Sequence, residues 1–438
     1  MVTQPTTLDA RYELLERLED ARRRTDELFR IVREEALYDR PIAERHRIIF
    51  YIGHLEAFDW NLLRERLIDA PTFSAEFDKL FSFGIDPVDG GLPTDQPADW
   101  PTLEQVRRYV SQVREAINKG LSCATAREFT EETLLNVAIE HRLMHAETLA
   151  YMLHQLSFDR KVAVALRPVA VARVLQHEMV RIPEGQATLG LPRCPGHAFG
   201  WDNEFEEQTH AVPPFQIDKY EITNGQYLEF LAAGGYENRN LWTDGDRQWK
   251  SEHNISHPVF WIAKDGAWFL RTMFNEIPLP LNWPVYVSHA EASAYAKWAG
   301  KSLPSEAQWH RAAYGTPQGA EREYPWGSEA PTARRGNGDF KSWDPAPVDA
   351  SPDGQSAFGV QDLIGNGWEW TSTLFAPLPG FEPFPFYKGY SADFFDGKHF
   401  VIKGGSPRTA ACMLRRSFRN WFQPHYQYVY AGFRCVKN

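Results

Sequence analysis

Thr125–Leu156 has the sequence TAREFTEETLLNVAIEHRLMHAETLAYMLHQL and contains neither glycine nor proline. A run of this kind, rich in Leu, Ala and Glu, predicts one long α-helix. His141 and His145 are four residues apart in it, so they lie on one helix face with Cβ atoms about 5–6 Å apart. The same stripe is continued by the apolar residues Leu134, Ala138, Leu149 and Met152. The pair is therefore expected to face the protein interior, where two neutral imidazoles can bind one metal ion.

A third ligand would have to come from another helix, and His54 is the best candidate. It lies in the sequence YIGHLEAFD among apolar neighbours, and Gly53 beside it would let another group approach closely. His46 competes with it but is flanked by charged residues. Glu147 does not share the helix face of the histidine pair. We therefore expect it to contact a metal-binding residue rather than the metal itself.

The metal site is not the only interpretation of these residues. Histidine pairs with this spacing also occur by chance, and a lone buried histidine is usually only hydrogen-bonded. If a metal is bound, three neutral imidazoles with open positions suit Zn, Fe(II) or another divalent ion. The spacing alone does not select among these metals.

Three further stretches in the first third of the chain have helical periodicity. They are Leu14–Val32, Ile42–Leu67 and Leu103–Ile117. Together with Thr125–Leu156 they predict an all-α four-helix bundle within about 150 residues. The loop Gly84–Pro101 is rich in Gly, Pro and Asp and is too long for a tight turn, so we expect it to be functional.

The pattern of the sequence changes near Leu166. From Glu178 onward, short β-like runs alternate with connections rich in Gly, Pro, Asn and Trp, which predicts an α+β domain. The predicted elements are strands at Met179–Ile182, Phe215–Ile217, Val285–Val287 and Val401–Lys403 and a helix at His289–Trp298. We expect two domains, at residues 1–160 and 178–438, joined by a linker at residues 161–177.

The composition argues against several classes of protein. The chain has 438 residues and a net charge of −11, which argues against duplex nucleic acid as a partner. Its cysteines, Cys123, Cys194, Cys412 and Cys435, form no CxxC pair, so neither a disulfide framework nor a structural zinc site is expected. No apolar run is long enough to span a membrane, and Met1–Leu14 contains no apolar secretory segment, so we expect a cytoplasmic protein.

Ordered motifs across nearly the whole chain resemble a known family. In the second domain they are MVRIP (179–183), IDKYEITN (217–224), AYAKWAGKSLPSEAQW (294–309), GNGWEW (365–370), KGGS (403–406) and AGFRC (431–435). They resemble the formylglycine-generating-enzyme/sulfatase-modifying-factor domain, an α+β domain with a C-type-lectin-like fold. The helical region resembles a DinB-type bundle. Domains in this order are similar to the ergothioneine-type sulfoxide synthases, which are O2-dependent mononuclear iron enzymes.

The resemblance implies a metal and a substrate. In that family a histidine of the second helix and an HxxxH pair of the fourth helix hold Fe(II), and the matching residues are His54, His141 and His145. The second domain closes over the metal and supplies the pocket for hercynine, the trimethylated betaine of histidine.

The resemblance also implies roles for residues of the second domain. Tyr390, Asn420 and Trp421 match positions that contact hercynine, and a quaternary ammonium group favours aromatic faces such as those of Tyr390 and Trp421. Tyr387 matches the tyrosine that donates a proton and an electron during oxygen activation. The alternative is that these rings only fill the core of an aromatic-rich domain.

Three departures from the family pattern concern the second substrate. Members that use γ-glutamylcysteine have an arginine-containing loop, whereas the matching loop Gly84–Pro101 has four aspartates and no arginine. Phe422 stands where an aspartate would bind the amino group of that donor, and Met144 stands where the family has a glutamine.

These departures favour the selenoneine synthase branch, which couples hercynine to a selenosugar. A neutral sugar would be bound by the aspartates of the loop and by a ring such as Phe422, rather than by an arginine fork. If arginines elsewhere in the chain bind the carboxylates of the donor instead, a thiol such as γ-glutamylcysteine or cysteine remains the alternative donor. The candidates for such a carboxylate clamp are Arg408, Arg415 and Arg416.

Three other classes of function remain as alternatives. A sulfatase-modifying oxidase would work through a close cysteine pair, but Cys412 and Cys435 are 23 residues apart. A DinB thiol transferase would use a divalent metal without dioxygen. A lectin-like sugar-binding protein would contain no stoichiometric metal.

Overall fold

The structure is a computed structural model and describes residues 7–68, 70–82, 92–123, 129–162, 175–194 and 199–438. The chain divides into two compact units, residues 1–165 and 166–438. Residues 163–174 of the expected linker, 84–91 of the expected functional loop and 125–128 of the expected long helix lie outside the described residues. Among the described helices, none combines the length and the apolar character needed to cross a membrane.

The first unit is helical. Its described residues contain α1 (Thr7–Arg30), α2 (Ile48–Leu63), α3 (Ala75–Leu80), α4 (Leu103–Cys123) and α5 (Phe129–Gln155). α1 packs on α5, and α2 packs on both α4 and α5. The four long helices confirm the four that the sequence predicts, whereas the short helix α3 is not predicted. A π-helical turn, Arg64–Ile68, continues α2.

α5 is the central helix of this unit. From residue 134 to residue 154 its side chains are buried, except those of Met144 and Thr148, which are partly exposed. A helix that is buried on nearly all sides is a core element of its domain. The sequence pattern predicts only one buried stripe on α5, whereas polar residues such as Glu140 and Arg142 are buried as well.

The second unit contains four described α-helices. They are α6 (Asn224–Ala232), α7 (Asp244–His253), α8 (His289–Trp298) and α9 (Glu306–Tyr314). Each begins with a capping box, in which a Ser or Thr side chain accepts a hydrogen bond from the third helical N–H group. The capping residues are Thr223, Thr243, Ser288 and Ser305. α8 confirms the helix that the sequence predicts.

The strands of the second unit are short. They are β1 (Met179–Ile182), β2 (Gly185–Leu189), β3 (Gln208–Val212), β4 (Phe215–Asp218), β5 (Trp261–Lys264), β6 (Ala267–Arg271), β7 (Glu276–Pro278), β8 (Gly367–Leu374), β9 (Phe400–Gly405), β10 (Asn420–Phe422), β11 (Ala431–Gly432) and β12 (Val436–Lys437). Among the described residues, the sheet orders are β1-β4-β12, β10-β9-β8-β11, β2-β3 and β5-β6-β7. β8 and β11 are parallel, and the other pairs are antiparallel.

Three predicted strands coincide with β1, β4 and β9, but the fourth is wrong. Residues Val285–Val287 form no regular strand. The N–H group of Val285 donates to Ile222 at 3.0 Å, while that of Val287 donates to Ala431 at 2.9 Å. Because these acceptors belong to different segments of the chain, no ladder forms along an otherwise β-like sequence.

The core of the second unit lies around α9. This helix packs against β2, β3, β8 and β9. Trp309 on α9 is fully buried in a cluster that includes Ile217, Val360 and Leu363. α9 thus holds β8 and β9 in place, and β9 in turn pairs with β10, which carries three of the residues assigned by resemblance.

Candidate metal centre and substrate-binding residues

α2 and α5 bring three histidine side chains together in the first unit. His54 on α2 and His141 and His145 on α5 are each only 4–5% exposed. Each offers one ring nitrogen to a group whose ligand atoms all lie within 4.8 Å of one another. The Nε2 atoms of His54 and His145 are 3.2 Å apart. The three imidazoles that the sequence singles out therefore converge.

Hydrogen bonding fixes the tautomer of His54. Its Nδ1 atom lies 2.7 Å from the backbone carbonyl oxygen of Phe81. A carbonyl oxygen only accepts hydrogen bonds, so Nδ1 carries the proton and Nε2 keeps the lone pair that a metal would use. Helical periodicity does not predict the Phe81 contact, because it joins residues 27 positions apart.

Burial keeps the three rings neutral. It lowers the pKa of His54 to about 4, although the Phe81 carbonyl acts in the opposite direction. Burial, together with the neighbouring imidazoles and arginines, also lowers the pKa of His141 and His145 well below the usual range. At pH 7 all three side chains are therefore in the form that binds metals.

The geometry and chemistry of the group fit a divalent metal ion. Two nitrogen ligands at about 2.1 Å from one ion are about 3–3.5 Å apart. The distance of 3.2 Å between the Nε2 atoms of His54 and His145 falls in that range. The group contains no carboxylate, and three neutral nitrogen ligands suit both Zn and Fe(II).

Aromatic rings of α2 pack against two of the histidines. Phe50 stacks on His54 with 4.9 Å between ring centroids, and Phe58 stacks on His141 with 3.4 Å. Phe50 and Phe58 lie four residues before and after His54, so the helical period places all three on one face. The apolar stripe around His54 in the sequence thus supplies the walls of the candidate metal centre.

Gly53 lets the side chain of Phe81 pack closely against α2, as expected for a glycine beside His54. A Cβ atom at this residue would lie 2.5 Å from the ring of Phe81. The group that approaches Gly53 is therefore the same residue whose carbonyl oxygen binds His54. A side chain at position 53 would displace Phe81 and, with it, the hydrogen bond to the candidate ligand.

A buried ion-pair network joins α2 and α5 beside the histidines. Arg142 donates from Nη1 to Glu56 at 2.9 Å and from Nη2 to Asp59 at 2.6 Å. Arg114 on α4 donates to the same oxygen of Glu56 at 2.7 Å. Arg142, Glu56 and Asp59 are at most 1% exposed. A guanidinium group held between two carboxylates has a defined orientation, so the network sets the rotation of α5 against α2.

Three other residues named from the sequence lie outside the histidine group. Met144 is partly exposed on α5, and Glu147 is buried but offers no ligand atom to the group. His46, the competing candidate, lies 4.2 Å from the ring of Phe50 and is not a member either. The roles of Met144 and Glu147 stay predictions.

The described part of the expected functional loop, residues 92–101, is organised around Asp95. Its carboxylate accepts hydrogen bonds from Nε1 of Trp100 at 2.7 Å, from Nε of Arg47 at 3.0 Å and from Arg40. These two arginines come from the segment before α2, so the acidic loop is neutralised by residues distant in sequence. The charge of Asp95 is therefore balanced within the protein and would not repel a dicarboxylate donor.

The second described aspartate of the loop is also engaged. Asp99 accepts a hydrogen bond from the backbone N–H of Gln96 at 2.7 Å. Both described aspartates of the loop therefore already accept hydrogen bonds within the protein, and neither is free to bind a sugar hydroxyl. The other two aspartates, Asp86 and Asp89, lie outside the described residues.

Aromatic rings surround Tyr390 and Trp421 in the second unit. Tyr390 is 9% exposed and stacks on Trp201 with 4.0 Å between ring centroids. Trp421 stacks on Phe375, also at 4.0 Å. The rings of Tyr390 and Trp421 meet edge to face at 5.6 Å, and Tyr387 lies 5.5 Å from Tyr390. The structure therefore brings Tyr387, Tyr390 and Trp421 together.

Asn420 and Phe422, the other two predicted residues of β10, lie on the opposite face of the strand from Trp421. Successive side chains of a strand point to opposite faces, so Asn420 and Phe422 share the face that Trp421 does not use. The ring of Phe422 stacks on Tyr426 at 5.2 Å, whereas Trp421 belongs to the cluster around Tyr390. The side-chain oxygen of Asn420 accepts a hydrogen bond from the N–H of Trp421 at 2.8 Å.

The three arginines that could replace a missing carboxylate clamp are engaged within the second unit. Nε of Arg415 donates to Glu204 at 2.9 Å, and Arg416 pairs with Glu321 at 3.0 Å. The guanidinium group of Arg408 lies over a tryptophan ring at 4.0 Å. These contacts argue against a relocated clamp for a dicarboxylate donor.

Comparison with known proteins covers both units. Residues 17–155 match the DinB superfamily, and residues 167–438 match the sulfatase-modifying factor enzyme 1-like domain. Hercynine oxygenase from Mycolicibacterium thermoresistibile is 35% identical over 358 residues, which cover 79% of this chain and 76% of that protein. The chain belongs to the hercynine oxygenase family.

Further relatives agree with membership of the hercynine oxygenase family. Hercynine oxygenase from Mycobacterium tuberculosis is 34% identical over 79% of each chain. Ergothioneine biosynthesis protein 1 from Neurospora crassa is 29% identical over 92% of this chain and 55% of that protein. The resemblance to the ergothioneine-type enzymes is thus confirmed, as is a helical DinB domain followed by an α+β domain. The selenoneine branch stays a prediction.

Proposed function

We propose that this member of the hercynine oxygenase family is a non-heme iron enzyme that uses O2 to form a carbon–selenium or carbon–sulfur bond on the imidazole of hercynine. A selenosugar is the proposed donor, which makes the protein a selenoneine synthase. The observation that carries the proposal is the convergence of three neutral histidines in a chain 35% identical to a hercynine oxygenase. Under this proposal the first unit is a four-helix bundle of the DinB type, and the second has a C-type-lectin-like fold.

His54, His141 and His145 would hold Fe(II). When bound, the ion supplies a site that accepts O2 and the chalcogen of the donor. Because the three ligands are neutral, the ion keeps its full charge, which favours an anionic thiolate or selenolate as a further ligand. The protein contributes the burial that keeps the rings neutral and the Phe81 carbonyl that keeps Nε2 of His54 unprotonated.

Tyr390 and Trp421 would bind the trimethylammonium group of hercynine. A cation within about 6 Å of an aromatic centroid is attracted to the face of the ring. Stacking on Trp201 and Phe375 fixes the orientation of both rings, which is what such a site requires. We assign Asn420 to hercynine as well, and Tyr387 to the donation of a proton and an electron, both of which the substrates return to it before turnover ends.

The overall reaction balances without an external reductant. A C–H bond of the hercynine imidazole and the Se–H or S–H bond of the donor are broken, and a C–Se or C–S bond forms. One oxygen atom of O2 ends on the chalcogen as a selenoxide or sulfoxide, and the other leaves as water with the two hydrogens. The electrons that reduce O2 come from the two substrates.

Phe422 and the arginines support a donor that is not an amino acid. The Phe422–Tyr426 stack offers an apolar surface where an aspartate would bind an ammonium group. The candidate clamp arginines already have partners within the second unit. The described aspartates of the loop give no support to a sugar, because both are engaged internally.

The test is a competition between donors. Protein loaded with Fe(II) is given hercynine, O2 and either 1-seleno-β-D-glucose, 1-thio-β-D-glucose or γ-glutamylcysteine, and kcat/KM is compared. We expect a clear preference for the seleno- and thiosugars. A preference for γ-glutamylcysteine would show that the protein is an ergothioneine-pathway sulfoxide synthase instead.

His141→Ala is the control for the metal. It should abolish iron binding and turnover while circular dichroism shows a folded protein. Turnover by wild-type protein that persists without dioxygen would point to a thiol transferase. Absence of any product at full iron occupancy would overturn the proposed oxygenase.

A further inference from the structure

The turn Asp202–Glu204 of the second unit buries three polar residues in succession. Trp201, Asp202 and Glu204 are 0% exposed and Asn203 is 1% exposed. Acidic and amide side chains are rarely buried this completely unless each has a partner. No motif or periodicity in the sequence marked this segment as functional.

Glu204 has hydrogen-bond partners for both oxygens of its buried carboxylate. It accepts hydrogen bonds from Arg415 at 2.9 Å, from the Ser417 hydroxyl at 2.6 Å and from the backbone N–H of Trp201 at 2.8 Å. Arg419 also donates to the backbone oxygen of this turn at residue 203, at 3.4 Å. The turn is therefore firmly attached to residues 415–419, which lead directly into β10.

The turn also borders the aromatic cluster around Tyr390. The ring of Trp201 stacks on Tyr390, and the next residue in the chain, Asp202, accepts a hydrogen bond from the Ser391 hydroxyl through Oδ1. Asp202 and Asn203 are thus placed between the segment that carries Tyr390 and the segment that leads to Trp421.

Three polar atoms of the turn remain unpaired. Oδ2 of Asp202 and both Oδ1 and Nδ2 of Asn203 are buried without a hydrogen-bond partner among the described residues. Burial raises the pKa of the Asp202 carboxyl, although Ser391 and nearby backbone amides lower it. Because Glu204 in the same turn is fully paired, the missing partners are a property of this site and not of the whole segment.

We propose that Asp202 and Asn203 bind hydroxyl groups of a sugar-type donor, an inference that rests on the proposed function. A hydroxyl group both donates and accepts, so adjacent hydroxyls can pair with a carboxylate oxygen, an amide oxygen and an amide N–H at once. An ammonium group would pair with the two oxygens but leave the N–H of Asn203 without an acceptor. A carboxylate would be repelled by Asp202, and the trimethylammonium group of hercynine has no hydrogen to donate. The imidazole of hercynine has one donor and one acceptor, so it would leave one of the three unpaired atoms without a partner.

The test is calorimetric titration of the full-length protein with 1-thio-β-D-glucose under anaerobic conditions, with and without Fe(II). Asp202→Asn and Asn203→Asp keep the volume of each side chain and reverse the hydrogen-bonding character of one group. Since a site built to pair hydroxyls rejects mismatched groups strongly, we expect about tenfold or greater weakening of sugar binding in each variant. The affinity for hercynine should stay within about twofold, because hercynine has no hydroxyl for the turn to bind.

Asp362→Asn is the matched control, because it replaces another buried carboxyl group of the same unit by an amide. It should leave sugar binding unchanged. Thermal melting checks that each variant is folded, and either variant of the turn suffices for the test. Wild-type affinity for 1-thio-β-D-glucose in the folded variants would overturn the inference, and so would the absence of sugar binding by the wild-type protein.

Two further outcomes separate this inference from the proposed function. Sugar binding that depends on the turn, in a protein that forms no product from hercynine and O2, would support the inference and overturn the oxygenase. The opposite outcome is oxygenase activity with γ-glutamylcysteine and no binding of the sugar. If Asp202→Asn then weakens the binding of γ-glutamylcysteine, the turn binds an ammonium group and the inference is overturned.

Discussion

Arg142 and Asp59 form a hydrogen-bonded ion pair of 2.6 Å in the interior of the first unit. Arg142 follows His141 in α5, and Asp59 lies five residues after His54 in α2. The pair therefore connects the two helices that supply the candidate ligands. A substitution that changes the geometry of this ion pair should therefore alter the distance between the imidazole of His54 and those of His141 and His145.

Arg142→Lys should weaken metal binding. Lysine keeps the charge but has no planar fork, so it cannot hold Glu56 and Asp59 in the same geometry. Loss of a contact that orients ligands typically lowers metal affinity about 10–100-fold. Titration with Co(II), followed by its visible absorption, measures both the affinity and the coordination geometry.

Arg434→Lys is the control for this prediction. Arg434 forms an equally buried pair with Glu369 in the second unit, at 2.6 and 2.7 Å. It should lower stability without changing the Co(II) spectrum. A folded Arg142→Lys variant with wild-type affinity and spectrum would show that the network only stabilises the helices.

Gly53→Ala should also weaken metal binding, by a different route. The added methyl group would meet the ring of Phe81 at 2.5 Å, so Phe81 must move and its carbonyl oxygen must leave Nδ1 of His54. We expect about tenfold lower Co(II) affinity in the folded variant. Gly245→Ala, where the nearest atom is 4.0 Å away, is the control and should bind Co(II) normally.

Tyr387→Phe should separate binding from turnover. The phenyl ring preserves the packing against Tyr390 at 5.5 Å, so KM for hercynine should stay within about twofold. The hydroxyl that would donate a proton and an electron is lost, and we expect kcat to fall by about tenfold or more or the product to change. Wild-type rate and product would make Tyr387 a packing residue.

Glu321 should make the stability of the protein sensitive to acid. Burial alone would raise its pKa, but contacts with His310 and the backbone N–H of Thr188 lower it from 4.5 to about 2. A carboxyl whose pKa is lower in the folded state stabilises that state above the unfolded pKa and loses this contribution as the pH falls towards 2. Glu321→Gln should therefore lower the melting temperature at pH 7 more than at pH 3. An equal effect at both pH values would contradict the assignment.

Periodicity in the sequence predicted the four long helices and placed His141 and His145 on one helix face. The choice of His54 as the third residue also used its apolar neighbours and the family resemblance. Periodicity works here because a helix places residues four apart on one face, whatever the rest of the chain does. The Phe81 carbonyl and the Arg142 network could not be found in this way, since they join residues 27 and more than 80 positions apart. The acidic residues within apolar α2, together with Arg142 within α5, were the visible signs of the network.

The second unit was less predictable for the same reason. Val285–Val287 has the composition of a strand, but its N–H groups have acceptors in two unrelated segments. The grouping of Tyr390 with Trp201 depends on contacts between parts of the chain 189 residues apart. The family resemblance identified Tyr390 and Trp421, but it did not identify the polar turn beside them.

The alternation along β10 has a consequence for how this protein can diversify. Phe422 and Trp421 are neighbours in the chain, yet each stacks on a different ring, Tyr426 in one case and Phe375 in the other. A substitution at position 422 therefore leaves the surroundings of Trp421 intact. Under the proposed function, position 422 can therefore change with the donor while Trp421, on the other face of the strand, keeps its contacts with Phe375 and Tyr390.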